Sequence, residues 1–126
     1  MPKLIKITTG SVSMLAELND SATAANIWDS LPMEARGSTW GDEIYFGIQT
    51  TCEYENAQEV VESGDLAYWP PGSAFCIFFG LTPASVGDEI RPASAVNVFG
   101  KLQGDPKAFK AVPNGQKVVV EKELSE

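Results

Sequence analysis

Residues 64–83 decide the fold, and they read GDLAYWPPGSAFCIFFGLTP. Two short apolar segments, residues 66–69 and 74–79, stand on either side of Pro70-Pro71-Gly72. Proline has no backbone N–H group and cannot continue a β-ladder. We therefore predict two strands that are joined by a stiff turn.

The second of these segments is apolar at every position from 74 to 79. Because successive side chains of a strand point to opposite faces, both faces of this strand need cover. A closed barrel provides it if the interior is packed and a helix or loop covers the outside. A second copy of the chain is the alternative cover for the outer face, which would make the protein a homodimer.

Alternating apolar residues predict six further strands along the rest of the chain. On the fourth strand, Ile44, Phe46 and Ile48 form one apolar row, which Cys52 and Tyr54 extend, while Glu43 and Tyr45 point the other way. Gly37 weakens the third strand. The six strands are predicted over residues 3–8, 11–18, 33–40, 43–54, 95–102 and 116–124.

Two helices are predicted between the strands. Asn19-Asp20-Ser21 supplies capping residues, and apolar residues then recur at helical spacing until Pro32. Asp105-Pro106 begins a short helical turn that runs to Lys110. The predicted fold class is therefore mainly β, a closed eight-stranded barrel with one main and one short helix, in a single domain over residues 1–126.

Composition limits the classes of partner. Seventeen acidic and nine basic residues give a net charge of -8, which opposes binding to nucleic acid or to an anionic membrane. The longest apolar run is too short to span a bilayer, and the N-terminus lacks the apolar segment of a signal peptide. Cys52 and Cys76 lie outside any CxxC spacing, so two buried free thiols and a reducing cytoplasm are expected.

The chain contains no histidine. This excludes Ser-His and Cys-His nucleophile pairs, histidine metal sites and a histidine acid or base. Asp42, Glu43 and Asp88 have no recognisable metal-ligand spacing. We predict neither a metal nor a cofactor, and any catalysis would have to use carboxylate, lysine, arginine or tyrosine side chains.

Three stretches of the chain resemble the small prokaryotic cyclophilin-like family that a Thermotoga maritima protein typifies. They are residues 64–83 with their Trp-Pro-Pro-Gly block, TWGDEIYF at 39–46 and PASAVNV at 92–98. The resemblance implies a closed eight-stranded cyclophilin-like barrel that is capped by helices. It implies little about chemistry, because this family has no established biochemical role.

Prolyl isomerase activity does not follow from the resemblance. True cyclophilins carry a Phe-His-Arg-Val-Ile segment in which the arginine stabilises the twisted amide, whereas the corresponding residues 33–40 here read MEARGSTW. Arg36 is present without its flanking motif, so a weak isomerase remains an alternative. Hydrolysis through Glu43 is another, as is a subunit role in an amide-hydrolysing complex, in which such barrels also occur. Whether the chain is an enzyme is left open.

We expect a small molecule or an extended peptide to bind beside the irregular segment at residues 80–93. Aromatic side chains would form the apolar contacts, and polar side chains would orient the ligand. The candidate ligand-binding residues are Trp40, Glu43, Tyr45, Tyr68, Trp69, Arg91, Ser94 and Asn97.

Each candidate has an alternative structural role. Arg91 offers a planar donor fork, but a salt bridge to Asp88 or Glu89 would occupy it. Glu43 would be a partly buried carboxyl with a raised pKa if its face lines the barrel mouth, and a solvated rim residue otherwise. Tyr68 and Trp69 stand at the rim if the adjacent turn holds them there, and in the core if it does not. Ser94 and Asn97 would bond either the ligand or the loop backbone.

Overall fold

The computed structural model describes residues 3–123, whose backbone forms one nine-stranded sheet that curves into a nearly closed barrel. The strands follow the order β3-β9-β1-β2-β8-β6-β7-β5-β4, and neighbouring strands are antiparallel. Their bounds are β1 (Leu4–Thr9), β2 (Val12–Leu18), β3 (Met33–Arg36), β4 (Ser38–Thr39), β5 (Glu43–Gly47), β6 (Asp65–Trp69), β7 (Ala74–Phe78), β8 (Asn97–Leu102) and β9 (Lys117–Lys122).

The predicted fold class, mainly β and barrel-shaped, is confirmed, but the strand count is nine and not eight. The strand predicted over residues 33–40 divides at Gly37, because β3 pairs with β9 whereas β4 pairs with β5. The chain thus passes from one end of the sheet to the other at this glycine. A Cβ atom on Gly37 would lie 2.8 Å from Cγ2 of Ile44, so the crossing leaves no room for a side chain.

The strand predicted over residues 43–54 begins at Glu43 but ends at Gly47. The next backbone amide, that of Ile48, donates to the carbonyl of Ser73 at 2.8 Å, one step beyond the Gly47–Ala74 pair in the same register. Tyr54 is 59% exposed and does not continue the apolar row. At the other end of the chain, β9 stops at Lys122, and Leu124 of its predicted range lies outside the described residues.

The main helix, α1 (Ala22–Asp29), begins as predicted after Ser21, whose hydroxyl accepts a hydrogen bond from the Ala24 amide at 3.0 Å. Its carboxyl end falls before Pro32. The short helix is a 3₁₀ helix, Pro106–Ala111, and a further 3₁₀ turn follows β6. Within residues 3–123, no helix has the length and apolarity that crossing a bilayer requires.

The strands separate two hydrophobic clusters. The barrel interior contains alternate residues of the central strands, such as Leu66 on β6 and Phe75 on β7. The outer cluster covers the opposite face of the same strands, where Phe78 is fully buried beneath Ile90 and Val96. The outer face of β7 is therefore covered by the connection to β8 within this chain, which accounts for a strand that is apolar on both faces.

Both cysteines are free thiols, as predicted. Cys76 is buried in the outer cluster, but Cys52 is only half-buried in the segment that follows β5. The prediction of two buried thiols is thus correct for one of them.

Candidate functional site

A cavity of about 280 Å³ lies on the outer side of β5, β6 and β7, beside the segment that connects β7 to β8. Its volume is close to the lower end of the ~300–1,000 Å³ range of small-molecule sites. The lining is mostly apolar and aromatic and includes one carboxyl group. We call it the aromatic cavity, and its lining residues are Trp40, Glu43, Tyr45, Trp69, Cys76, Pro92, Ala93 and Val96.

Glu43 reaches the aromatic cavity because side chains alternate along β5. Ile44 and Phe46 face the barrel interior, so Glu43 and Tyr45 face outward. Glu43 is only 5% exposed. Burial raises the pKa of its carboxyl from 4.5 to about 7, while the neighbouring Cys76 thiol acts in the opposite direction. Of the two roles considered from the sequence, the structure thus favours the buried carboxyl.

The Cys76 thiol forms part of the wall next to this carboxyl. Cys76 lies opposite Tyr45 in the β5–β7 ladder and is 2% exposed. Burial, followed by the nearby charge of Glu43, raises the pKa of the thiol well above its usual value. The thiol therefore stays protonated at neutral pH, adds no second negative charge and is a poor nucleophile.

Trp69 is held in place by two contacts. Its indole Nε1–H donates a hydrogen bond to the Ser94 hydroxyl at 2.6 Å. A Cβ atom on Gly72 would lie 2.7 Å from Cζ3 and 2.8 Å from Cε3 of the same ring, so the indole packs on the bare glycine of the Pro-Pro-Gly turn. Ser94 consequently acts through Trp69, whose ring it positions beside the cavity.

The turn between β4 and β5 brings Trp40 to the same place. The Trp40 amide donates to the Glu43 carbonyl at 2.9 Å, and the Asp42 amide donates to the Leu81 carbonyl at 2.9 Å. Gly41 adopts a left-handed conformation with φ of 62°, and a Cβ atom there would meet the Leu81 carbonyl oxygen at 2.9 Å. The turn is thus fixed against the connection between β7 and β8, with Trp40 and Glu43 on the cavity side.

Tyr68 lies in the barrel core, and the prediction that it stands at the rim is wrong. Although it precedes Trp69, strand alternation places it on the opposite face, where it is 0% exposed. Its hydroxyl accepts a hydrogen bond from the Cys52 amide at 3.1 Å and donates one to the Thr50 carbonyl at 3.0 Å. Tyr68 therefore anchors the segment after β5 and does not line the cavity.

Asn97 has a structural role as well. It is 1% exposed, and its side-chain amide donates to the Glu53 carbonyl at 2.8 Å and to the Thr23 hydroxyl at 3.1 Å. Its side-chain oxygen accepts from the Glu55 amide at 2.9 Å. Asn97 thus connects helix α1 to the loop before β6. Of the two roles that the sequence left open for it, bonding a ligand or bonding the loop backbone, the structure shows the second.

Neither arginine lines the aromatic cavity. The Arg91 guanidinium forms an ion pair with Glu89 at 2.8 Å, which is the alternative that the sequence left open. Arg36 is exposed on β3, and its Nη1 donates to the Gly115 carbonyl at 3.1 Å. The candidates that converge are therefore Trp40, Glu43, Tyr45 and Trp69, with Ser94 bonded to the last of them.

Four lining residues were not predicted: Cys76, Pro92, Ala93 and Val96. The β5–β7 register places Cys76 opposite Tyr45, but that register cannot be read from the sequence. Pro92, Ala93 and Val96 belong to a connection whose path over the barrel follows from tertiary contacts. No cluster of His, Cys, Asp or Glu that could hold a metal ion is found among residues 3–123.

Comparison with known proteins places this barrel in a family. The solution structure of a hypothetical protein from Archaeoglobus fulgidus is 43% identical in sequence, with a TM-score of 0.81 over 97% of this chain and 95% of that chain. No curated protein matches the sequence. A sequence profile described as cyclophilin-like matches residues 3–121. The chain therefore belongs to the cyclophilin-like family.

Proposed function

We propose that the protein is a binding domain of the small prokaryotic, Thermotoga-type branch of this family. The Trp-Pro-Pro-Gly block at residues 69–72 supports that branch. The aromatic cavity takes a small molecule or one side chain of an extended peptide. One observation carries this proposal: Trp40, Tyr45 and Trp69 meet around a single, nearly buried carboxyl group in a mostly apolar cavity.

The cavity is organised before any ligand arrives. Ser94 and Gly72 fix the Trp69 indole, and the turn at Gly41 fixes Trp40. Fixed aromatic rings lose little conformational entropy when a ligand binds, so more of the contact energy appears as affinity. The Glu43 carboxyl then supplies the polar contact that orients a ligand.

Isomerase chemistry has less support. A cyclophilin-type isomerase requires a guanidinium group beside the twisted amide, and no arginine is among the residues that line the aromatic cavity. Arg36 contacts the Gly115 carbonyl instead. A subunit role in an amide-hydrolysing complex rests on analogy of fold alone. A chymotrypsin-coupled assay with a proline peptide should therefore show no acceleration, even at high protein concentration.

Hydrolysis through Glu43 is a second candidate function. A carboxyl group with a pKa of about 7 is suited to act as a general acid or base near neutral pH. Such an activity would follow a pH profile that turns near this pKa and would be lost in Glu43→Gln.

We place the protein in a reducing cytoplasm, because both cysteines are free thiols. Its net charge of -8 favours small molecules, peptides or a second copy over nucleic acid as partners.

The binding proposal is tested by nuclear magnetic resonance of the three indole N–H groups with a panel of small fragments and short peptides. Binding at the aromatic cavity moves the Trp40 and Trp69 signals. Trp28 is an internal control, because its ring lies on helix α1 near the Lys3 and Lys122 ammonium groups. Signals of Trp40 and Trp69 that no probe moves, or that move only together with Trp28, would refute the site.

A further inference from the structure

The Glu43 carboxyl has no counter-ion within the described chain. Among residues 3–123, ion pairs form between other groups: Arg91 with Glu89, Lys101 with Glu62 and Asp65, Lys110 with Asp42, and Lys117 with Glu34. The Cys76 thiol beside it is a weak donor, and it donates to the Ala74 carbonyl at 3.9 Å. A carboxylate that is 95% buried is normally paired with a cation or fully hydrogen-bonded, so Glu43 is an exception.

Two cations that are tied to the surroundings of Glu43 serve other carboxylates. Asp42, the residue before Glu43, holds the Lys110 ammonium at 3.2 Å. Arg91, one residue before the lining Pro92, is held by Glu89 at 2.8 Å. No lysine or arginine is among the residues that line the aromatic cavity, so residues 3–123 place no positively charged side chain in its lining.

The aromatic residues that line the cavity also favour a positively charged ligand. Trp40, Tyr45 and Trp69 present three aromatic rings, and the faces of such rings attract cations. The same attraction operates elsewhere in this molecule, where the Lys122 ammonium lies 4.8 Å from the centre of the Trp28 ring. The net charge of -8 adds a long-range field that draws cations to the surface and repels anions.

We propose that the aromatic cavity binds an organic cation, an ammonium group on a small apolar body, with the Glu43 carboxylate as its counter-ion. The inference rests on the binding function proposed above and adds the chemical class of the ligand. A neutral ligand would leave Glu43 either protonated or unpaired, and an anion would be repelled by it. A cation compensates the carboxylate and contacts the aromatic rings at the same time.

The test compares choline with the neutral alcohol in which a carbon atom replaces its quaternary nitrogen. The two probes have the same shape and differ in charge. Titration calorimetry at about pH 8, where most Glu43 carboxyls are ionised, measures both. We expect choline to bind roughly tenfold or more tightly than the alcohol, from the combined cation–π and ion-pair contacts.

Three variants assign the effect to its residues. Glu43→Gln removes the charge and keeps the shape, and it should weaken choline binding roughly tenfold to a hundredfold. Trp69→Leu should weaken it roughly threefold to thirtyfold, by loss of one ring. Glu121→Gln is the matched control, because it removes one exposed charge on β9, outside the cavity lining, and should leave the affinity unchanged.

Equal or tighter binding of the neutral alcohol would overturn the choice of a cation and leave the binding function standing. Choline binding that survives Glu43→Gln would likewise exclude Glu43 as the counter-ion. If neither probe nor any fragment of the panel moves the Trp40 and Trp69 signals, the binding function falls as well. Thermal unfolding of each variant verifies the fold, and the comparison of the two probes on the unmodified protein decides the question without any variant.

Discussion

The indole nitrogen of Trp69 lies 2.6 Å from the Ser94 hydroxyl oxygen and donates a hydrogen bond to it. This contact joins the end of β6 to the segment that leads into β8. It holds the segment with Pro92 and Ala93, which forms one wall of the aromatic cavity, against the end of β6, where Trp69 forms another wall.

Replacing Ser94 by alanine should loosen this wall. The Trp69 indole N–H loses its acceptor, so its exchange with solvent should become faster, and the free energy of unfolding should fall by about 1 kcal/mol. Hydrogen exchange of the indole signal and chemical denaturation measure the two effects. Ser63→Ala, at an exposed position in the turn before β6, is the control and should change neither.

Gly72 and Gly47 form a matched pair of glycines. A Cβ atom on Gly72 would meet the Trp69 ring at 2.7 Å, whereas one on Gly47 would have no atom within 4 Å. We expect Gly72→Ala to displace the indole and to lower the free energy of unfolding by roughly 1–2 kcal/mol, by overpacking. Gly47→Ala should leave both the Trp69 indole N–H signal and the stability close to those of the unmodified protein. Equal effects of the two variants would contradict the packing of the ring on the turn.

Tyr68→Phe distinguishes a core residue from a ligand contact. The variant deprives the Cys52 amide and the Thr50 carbonyl of their hydroxyl partner. The free energy of unfolding should fall by about 1–3 kcal/mol, because these groups lose a part-buried hydrogen bond. Choline binding to the folded variant should be unchanged. A loss of affinity without a loss of stability would return Tyr68 to the binding site.

Much of the fold could be predicted because it depends on local patterns. Period-2 alternation located most of the strands, and Ser21 and Pro32 bracketed the helix. The division at Gly37 could not be predicted, because it arises from the pairing of β3 and β4 with strands at opposite ends of the sheet. That pairing is a property of the whole nine-stranded sheet and not of the eight residues predicted as one strand.

The site could be predicted only in part, for a related reason. Glu43 and Tyr45 alternate with Ile44 and Phe46, so their shared face followed from the sequence. The same alternation along β6 separates Tyr68 from Trp69, whereas the adjacent double proline predicts the rim for both. The direction of the Arg91 side chain depends on Glu89, two residues away in an irregular segment, and no periodic pattern describes such a contact.

Stability should depend on pH through Glu43. Its pKa is about 7 in the folded protein against an ordinary 4.5, so the folded state holds the proton more tightly than the unfolded state. The protonated Glu43 carboxyl makes its full contribution to the free energy of unfolding below about pH 4.5. This contribution is lost as the pH rises through 7, and the total loss is roughly 3 kcal/mol. Glu43→Gln should remove this decline and be more stable than the unmodified protein at about pH 8.

Chemical denaturation across this range measures the effect. Glu121→Gln removes a charge of the same kind from an exposed position, so it should retain the decline of the unmodified protein. If the free energy of unfolding of the unmodified protein instead rises from about pH 5 to pH 8, the burial of Glu43 does not determine its pH dependence.

The most direct test of the binding account is a carbon-13 titration of the Glu43 carboxyl, with and without saturating choline. A cation that pairs with the carboxylate stabilises its ionised form and lowers its pKa, whereas the Cys76 thiol remains protonated throughout. We predict a pKa of about 7 for the free protein and a value lower by roughly one unit or more with choline bound. A carboxyl that titrates at its ordinary value in the free protein, or whose pKa choline does not change, would contradict the account.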